Sequence, residues 1–176
     1  MTEIDPSSSA QPAGLSQRYG IGTDRHRLEP GEGLILAGVQ IPCELQAVAH
    51  SDGDAVLHAV ADAILGAAGG TDIGDLFADD DPQWKGLDSS IIVERACQWS
   101  AAQGWKPVQV DVVIHLERPK LADHRDAMKA SLARQLSIPV DCVGLKAKTG
   151  ESLGPVGEGR AIDTMAVVQL QRAGEK

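Results

Sequence analysis

Aromatic side chains are scarce in this chain, at 3% of residues. Large aromatic clusters are therefore excluded from the core, which must be built from Val, Ile, Leu and Ala with backbones packed closely. Cysteine is nearly as rare. Cys43, Cys97 and Cys142 are odd in number, far apart and free of any C-x-x-C spacing. That excludes a disulfide framework and fits a reducing cytoplasm, with the thiols as small core residues. No apolar stretch approaches the roughly 20 residues of a membrane span, and the N-terminus lacks a basic-then-apolar leader. Positive charge is also short: 16 Lys and Arg stand against 25 Asp and Glu, a net charge of -9. Such a balance argues against nucleic acid and membrane surfaces as partners, because both need a basic face. It leaves room for a small phosphorylated ligand, which a metal and a few backbone amides can hold.

What is present is one domain's worth of chain, 176 residues, long enough for a real core. Residues 1–17, rich in Ser, Pro and Ala, read as a disordered tail, leaving 18–176 as the domain. Tyr19 to Gly22 is a short strand candidate. Leu34–Leu36 and Val39–Ile41 look like a hairpin or bent strand pair after a Pro/Gly turn. Asp52 to Ala67 reads as a helix with an apolar stripe of Val56, Val60, Ala63 and Ile64, and a polar line of Asp54, His58 and Asp62. Asp72 to Ser89 is a loop. A second helix runs from Ser90 to Gln103, with Ile91, Ile92, Cys97 and Trp99 available for burial. Val108, Val110, Val112, Ile114 and Leu116 alternate as the clearest strand. Leu121, Met128, Leu132 and Leu136 mark a third helix over 121–136. Strands at Val143–Thr149 and Ile162–Leu170 flank a glycine-rich loop. Strands interleaved with helices predict an α/β (α+β) domain, one mixed sheet with helices packed on one face.

The chemistry concentrates in Gly22-Thr23-Asp24-Arg25-His26, His50-Ser51-Asp52-Gly53-Asp54 and His58. Asp24 and His26, two apart, share a face if they lie on a strand. With His58 from a helix they form a carboxylate and two imidazoles, a set that zinc accepts while keeping a fourth position open. Spacing alone leaves open that each is a surface or hydrogen-bonded core residue. Asp62, one turn beyond His58, is placed to orient that ring. Ser51 or Asp52 sits at a helix start, where it either caps the helix or, with His50, helps bind an anion. Asp79-Asp80-Asp81 reads as a solvated loop or one that meets a ligand. Lys146 to Glu151 offers two cations, a hydroxyl and a carboxylate at a strand end; it is no Walker A loop. Lys148 and Thr149 suit phosphate, and Glu151 suits a hard divalent ion. Arg118-Pro119-Lys120 is a rigid turn able to present backbone groups to a planar base.

Taken together, these motifs resemble the 2-C-methyl-D-erythritol 2,4-cyclodiphosphate synthase family, from about Tyr19 to Arg172. The specific parts are Gly-x-Asp-x-His at 22–26, His-Ser-Asp-Gly-Asp at 50–54 with His58, and Asp-Ile-Gly at 72–74. Asp-Pro-x-x-Lys-Gly at 81–86, Pro119-Lys120 and Lys-Ala-x-Thr-x-Glu at 146–151 complete the match. The resemblance implies a metal-assisted, intramolecular phosphoryl transfer in the non-mevalonate isoprenoid pathway. The 2-phosphate of 4-diphosphocytidyl-2-C-methyl-D-erythritol 2-phosphate closes onto its own diphosphate and expels CMP. It implies Asp24, His26 and His58 as ligands of Zn2+ or another divalent transition metal, and Glu151 as ligand of Mg2+ or Mn2+. His50, Thr149 and Glu151 fall at catalytic positions. His50 and Ser51 match contacts to the methylerythritol phosphate, and Asp72 and Gly74 match ribose contacts. Phe77, Asp79, Asp80 and Asp81 match a flexible loop at the erythritol. Pro119, Lys120 and Leu121 match the turn that reads cytosine, and Lys148 and Thr149 the α-phosphate contacts. The family is a homotrimer with sheets facing a threefold axis and active sites between subunits.

One region departs from the family. Where many members carry an aromatic, an Arg and a Glu, this chain has Pro155, Glu158 and Arg160. In the family that Arg and aromatic line a central cavity able to hold an isoprenoid diphosphate, and Glu158 opposes an anion there. The Glu158/Arg160 exchange would keep a salt bridge with its partners swapped. Two other functions use the same residues: a zinc-dependent phosphohydrolase, in which the open metal position activates water, and a non-catalytic cytidine nucleotide-binding module.

Overall fold

The computed structural model describes residues 16–76 and 86–174. Strand β1 (Gln17–Pro30) is followed by the short hairpin β2 (Leu34–Leu36) and β3 (Val39–Ile41), then β4 (Leu45–Val48). Helix α1 (Ala55–Ala68), a single turn α2 (Ile73–Leu76) and helix α3 (Ser89–Ala102) come next. Strand β5 (Trp105–His115), helix α4 (Arg125–Leu136), strand β6 (Val143–Lys148), a turn α5 (Gly154–Gly157) and strand β7 (Ala161–Arg172) close the chain. Five strands make one sheet in the order β4-β1-β7-β5-β6. All its pairings are antiparallel except β5–β6. The sheet is therefore mixed, and β5-α4-β6 is its βαβ unit. Of the tail expected over 1–17, only Ser16 and Gln17 lie among the described residues, and Gln17 already opens β1.

Burial alternates along β1 and β7 with period two, as a sheet covered on one face requires. Ile162, Ala166, Val168 and Leu170 face the helices and are fully buried. Tyr19, Ile21, Met165 and Val167 point the other way and stay exposed, at 64%, 63%, 43% and 40%. The sheet thus carries helices on one face and presents an apolar strip on the other.

Several boundaries differ from the sequence expectation. β1 runs on through Asp24 and His26 to Pro30, because its ladder to β7 continues to Arg27↔Ala161. Its outward residues there are Thr23, Arg25 and Arg27, so no apolar alternation announced the strand. β4 carried no signal long enough to read. In β5 the ladder passes from Pro107 to Gln109 and skips Val108, a bulge that breaks the expected alternation at its start. On α3 the buried side is Ile92, Val93, Ala96 and Ser100; Ile91, expected inside, is 38% exposed. Leu121, Met128, Leu132 and Leu136 are buried as expected, although α4 proper begins at Arg125.

Helix α1 lies directly on the sheet at two glycines. A Cβ on Gly20 would collide with the Ala63 carbonyl oxygen, and one on Gly22 with that of Ala59. The absence of both side chains lets α1 approach β1, and that approach brings His58 to the strand.

The start of α1 is held by Asp54, two to three residues beyond the cap expected at Ser51 or Asp52. Its Oδ1 accepts the N–H of Val56 at 3.0 Å, Leu57 at 3.1 Å and Ala37 at 3.0 Å; its Oδ2 accepts Gly38 N–H at 2.6 Å. Burial pushes this fully enclosed carboxyl up to about 6, against the downward pull of Gly38, Leu57 and Ala37 N–H. One side chain thus caps the helix and ties the β2–β3 turn to it. Asp54→Ala should cost roughly 3–5 kcal/mol, a lost cap plus two stranded amides, read as a shifted denaturant midpoint with unchanged slope.

Candidate metal centre and its surroundings

Asp24 and His26 project from β1 toward the helices, and His58 meets them from α1. Asp24 Oδ2 lies 3.0 Å from His26 Nε2 and 3.1 Å from His58 Nδ1. One donor atom from each of the three residues falls within 4.8 Å of the others. The rings meet edge to face at 5.4 Å between centroids. His26 Nε2 is buried without a hydrogen-bond partner, since it is close to Asp24 but not aligned with it. A buried orphan nitrogen, a second imidazole and a carboxylate converging on one point are what a four-coordinate cation needs. The donor set fits a divalent transition metal with one position left open.

The electrostatics follow from that crowding. Burial raises the Asp24 carboxyl, but contact with His26 and His58 outweighs it and holds the group well below the usual carboxylate range. Burial lowers His58, yet Asp24 beside it, with Asp54 and Asp52 behind, raises it above its ordinary value. Burial also raises Asp62. That carboxylate does not orient His58, as its position in α1 had suggested. It accepts the N–H of Ile73 at 2.8 Å and so ties α2 to α1.

The partners of the far side of His58 are Ser51 and Ser89, whose hydroxyls lie 3.1 and 2.9 Å from Nε2. Ser89 escaped the sequence reading because it stands 31 residues from His58, at the start of another helix. His50 is exposed, and its carbonyl accepts Gly86 N–H at 2.7 Å. Asp52 N–H donates to Leu87 O at 3.1 Å. The first amides of α1 are consumed by Asp54, so an anion at this end would meet side chains of 50–51 rather than a free helix start. Asp72 and Gly74 are exposed and linked by a bond from Gly74 N to Asp72 Oδ1 of 3.0 Å. Phe77, Asp79, Asp80 and Asp81 lie outside the described residues.

The remaining candidates form a second group at the carboxyl ends of the parallel pair β5 and β6, where open α/β sheets bind ligands. Leu116 N–H donates to Lys148 O at 2.9 Å. Glu117 accepts Gly150 N–H at 3.0 Å. Thr149 Oγ1 donates to Glu151 Oε1 at 2.8 Å. Glu151 and Lys148 are exposed. Glu151 and Ser152 sit at φ 51° and 60°, so the tight turn after Thr149 presents the carboxylate outward. Pro119, Lys120 and buried Leu121 make the adjoining turn. Pro119 also lines a cavity of about 500 Å³ with Pro30, Gly31, Cys43, Leu45 and Arg118. Glu158 and Arg160 pair with each other, Arg160 Nε to Glu158 Oε2 at 2.7 Å.

The chain does not bring its two groups together. Lys148 pairs with His115, His115 with Asp163, and Asp163 with Arg25. Lys148 is thus three strands from β1, about 14 Å across the sheet. Its side chain, in register with Arg25, leaves the face opposite Asp24 and His26.

The YgbB family profile matches residues 17–171. The chain is 47% identical over 155 residues to the 2-C-methyl-D-erythritol 2,4-cyclodiphosphate synthase of Solibacter usitatus, covering 88% of this chain and 98% of that one. It is 46% identical to the synthase of Dechloromonas aromatica, with 91% and 100% covered. A solved structure of a 2C-methyl-D-erythritol-2,4-cyclodiphosphate synthase with CDP bound superposes with a TM-score of 0.81 at 45% identity, covering 88% of this chain and all of that one. The bifunctional IspDF of Campylobacter jejuni superposes with a TM-score of 0.85 at 35% identity, covering 89% of this chain and 42% of that larger one. By sequence and by fold, the chain belongs to the YgbB family of 2-C-methyl-D-erythritol 2,4-cyclodiphosphate synthases.

Proposed function

We propose that this protein converts 4-diphosphocytidyl-2-C-methyl-D-erythritol 2-phosphate to 2-C-methyl-D-erythritol 2,4-cyclodiphosphate and CMP, as a phosphorus–oxygen lyase. The observation that carries the reading is the Asp24–His26–His58 cluster, whose donor atoms lie within 4.8 Å of one another, in a chain of this family. An oxygen of the 2-phosphate bonds to the β-phosphorus, the bond from that phosphorus to the bridging oxygen breaks, and the electron pair leaves with CMP. Nucleophile and leaving group both belong to the substrate, so positioning and charge neutralisation are the protein's share.

Asp24, His26 and His58 would hold Zn2+ or a similar ion, which supplies Lewis-acid charge at the β-phosphate. Glu151 would hold Mg2+ or Mn2+, which would neutralise phosphate charge. Lys148 and Thr149 bind the α-phosphate, with Thr149 bringing its hydroxyl to the charge that builds there. His50 and Ser51 take the methylerythritol phosphate, Asp72 and Gly74 the ribose, and Pro119 to Leu121 the cytosine. Phe77, Asp79, Asp80 and Asp81 are assigned to the erythritol by the family motif alone. The active site is completed between copies in a homotrimer. The separation of the two residue groups within one chain supports this, as does the exposed strip of Tyr19, Ile21, Met165 and Val167. The protein works in the cytoplasm, in keeping with three free cysteines. No described helix is long and apolar enough to cross a membrane.

The test is turnover of the cytidyl substrate with Zn2+ and Mg2+ in 18O-labelled water. CMP should appear with no label in either product. Label in a product would mean hydrolysis, and tight CMP binding without turnover would mean a binding module. Glu151→Gln should lower the rate about 10²–10³-fold, the size of losing one fixed charge-stabilising group, with zinc content unchanged.

A further inference from the structure

We infer that Ser89 and Asp52 form a positioning pair that fixes the tautomer of His58 and so aims Nδ1 at the metal. The inference rests on the reading of Asp24, His26 and His58 as a metal site. The starting point is the proton inventory on the far side of the ring. Asp52 Oδ2 accepts Ser89 N–H at 3.1 Å, and Asp52 Oδ1 accepts Asp54 N–H at 3.2 Å. The Ser89 hydroxyl donates to Asp52 Oδ1 as well. A carboxylate only accepts, and a serine hydroxyl has one proton. With that proton committed to Asp52, Ser89 Oγ can only accept at its 2.9 Å contact with His58 Nε2. Nε2 therefore carries hydrogen. In the neutral ring Nδ1 is then bare, and it lies 3.1 Å from Asp24 Oδ2. Two acceptors at that distance need a positive charge between them, a metal ion or the second proton of an imidazolium, and the orphan His26 Nε2 faces the same oxygen. A neutral ring held this way offers its lone pair only where Asp24 and His26 converge.

Ser51 is the competing partner, 3.1 Å from Nε2. Its oxygen accepts Gly53 N–H at 3.1 Å, but its own proton is uncommitted. Donation of that proton to Nε2 would put hydrogen on Nδ1 and spoil the ligand. Two features favour Ser89. It is fully buried, and its hydroxyl bond to Asp52 is charge-assisted, hence the stronger hold on a proton. Its place is also fixed by the backbone, since Gly86 and Leu87 pair with His50 and Asp52 just before it. The segment that begins α3 is thereby tied to the orientation of a ligand on α1.

The pair should reveal itself in zinc affinity, measured by chelator competition with zinc alone as the probe. Ser89→Ala should weaken binding about 10–100-fold, the size usual for losing a group that orients a metal-bound imidazole. Asp52→Asn should weaken it too, Ser51→Ala by no more than about threefold, and Ser89→Thr, which keeps the hydroxyl, should restore most of the loss. Long-range 1H–15N spectra of the zinc-loaded wild type should show His58 protonated at Nε2 only; this arm stands even if Ser89→Ala does not fold. A proton on Nδ1, unchanged affinity in Ser89→Ala, or the loss falling on Ser51→Ala instead would overturn the inference. A wild type that binds no zinc would overturn the metal-site reading beneath it, which separates the two failures.

Discussion

Asp24→Asn is expected to reduce bound zinc to background and CMP release by about 10²–10³-fold or more. The substitution changes little in shape. It removes the one charge that both imidazoles face, at 3.0 and 3.1 Å, and leaves a neutral oxygen as a poor metal ligand. His58→Ala should do the same from the other side, although it also opens a void beside β1. The decisive measurement is metal content and turnover on one preparation, with melting curves to confirm the fold. Retained zinc in Asp24→Asn would remove that carboxylate from the ligand set. The pH dependence has a definite sign. The metal must displace a proton from His58, whose pKa stands above 6.5 because Asp24 outweighs burial. Loading therefore weakens as pH falls through that raised value. The metal-free protein behaves oppositely. Its protonated His58 contributes stability that is complete below 6.5, the ordinary value, and is lost as pH rises through the folded pKa. Melts of both forms between about pH 5 and 8 should diverge as pH rises.

Gly22→Val is expected to do its damage through the fold. The first atom added to Gly22 would strike the Ala59 carbonyl oxygen and lie 2.6 Å from Ala63 N, both backbone atoms of α1. No rotamer can relieve a clash with helix backbone, so α1 must lift from β1. The usual cost of overpacking is about 1–3 kcal/mol and rises when backbone has to move. Here a displaced α1 takes His58 away from Asp24 and His26. Zinc affinity should fall together with stability, even though Gly22 is no ligand. Gly66→Ala is the control, since nothing lies within 4 Å of a Cβ there. It should keep zinc binding and gain rather than lose helix stability. Equal behaviour of the two variants would mean that the close approach of α1 is not what aligns the site.

These cases separate what could be read along the chain from what could not. The candidate ligands Asp24, His26 and His58 were legible because residue type announces them, and because two positions apart on a strand means one shared face. The family motifs were legible for the same reason, as short local strings. α1, α4 and the body of β5 declared themselves through periodicity, which is a local property. β1 beyond Gly22 did not, because its outward residues are polar or charged and Asp24 and His26 take two of its inward positions. Asp62 was a reasonable partner for His58 by helix spacing alone, yet the ring turns toward Ser51 and Ser89. That choice depends on where α3 begins and on the pairing of residues 86–87 with 50–52, which no local pattern encodes.

By itself the sequence determined the inventory: a small-residue core, a carboxylate and two imidazoles suited to a metal, a strand end with two cations, a hydroxyl and a carboxylate, and glycines whose packing role was not legible. Tertiary structure decided the assignments. It gave Gly20 and Gly22 their purpose as the seat of α1, made Asp54 the clamp between hairpin and helix, and gave His58 its orientation. It also left the metal group and the Lys148–Glu151 group on different parts of one sheet. The physical reason is that composition and period report what a side chain can do, while hydrogen-bond partners and metal geometry depend on contacts between residues distant in sequence. Those contacts exist only once the sheet and its helices have packed.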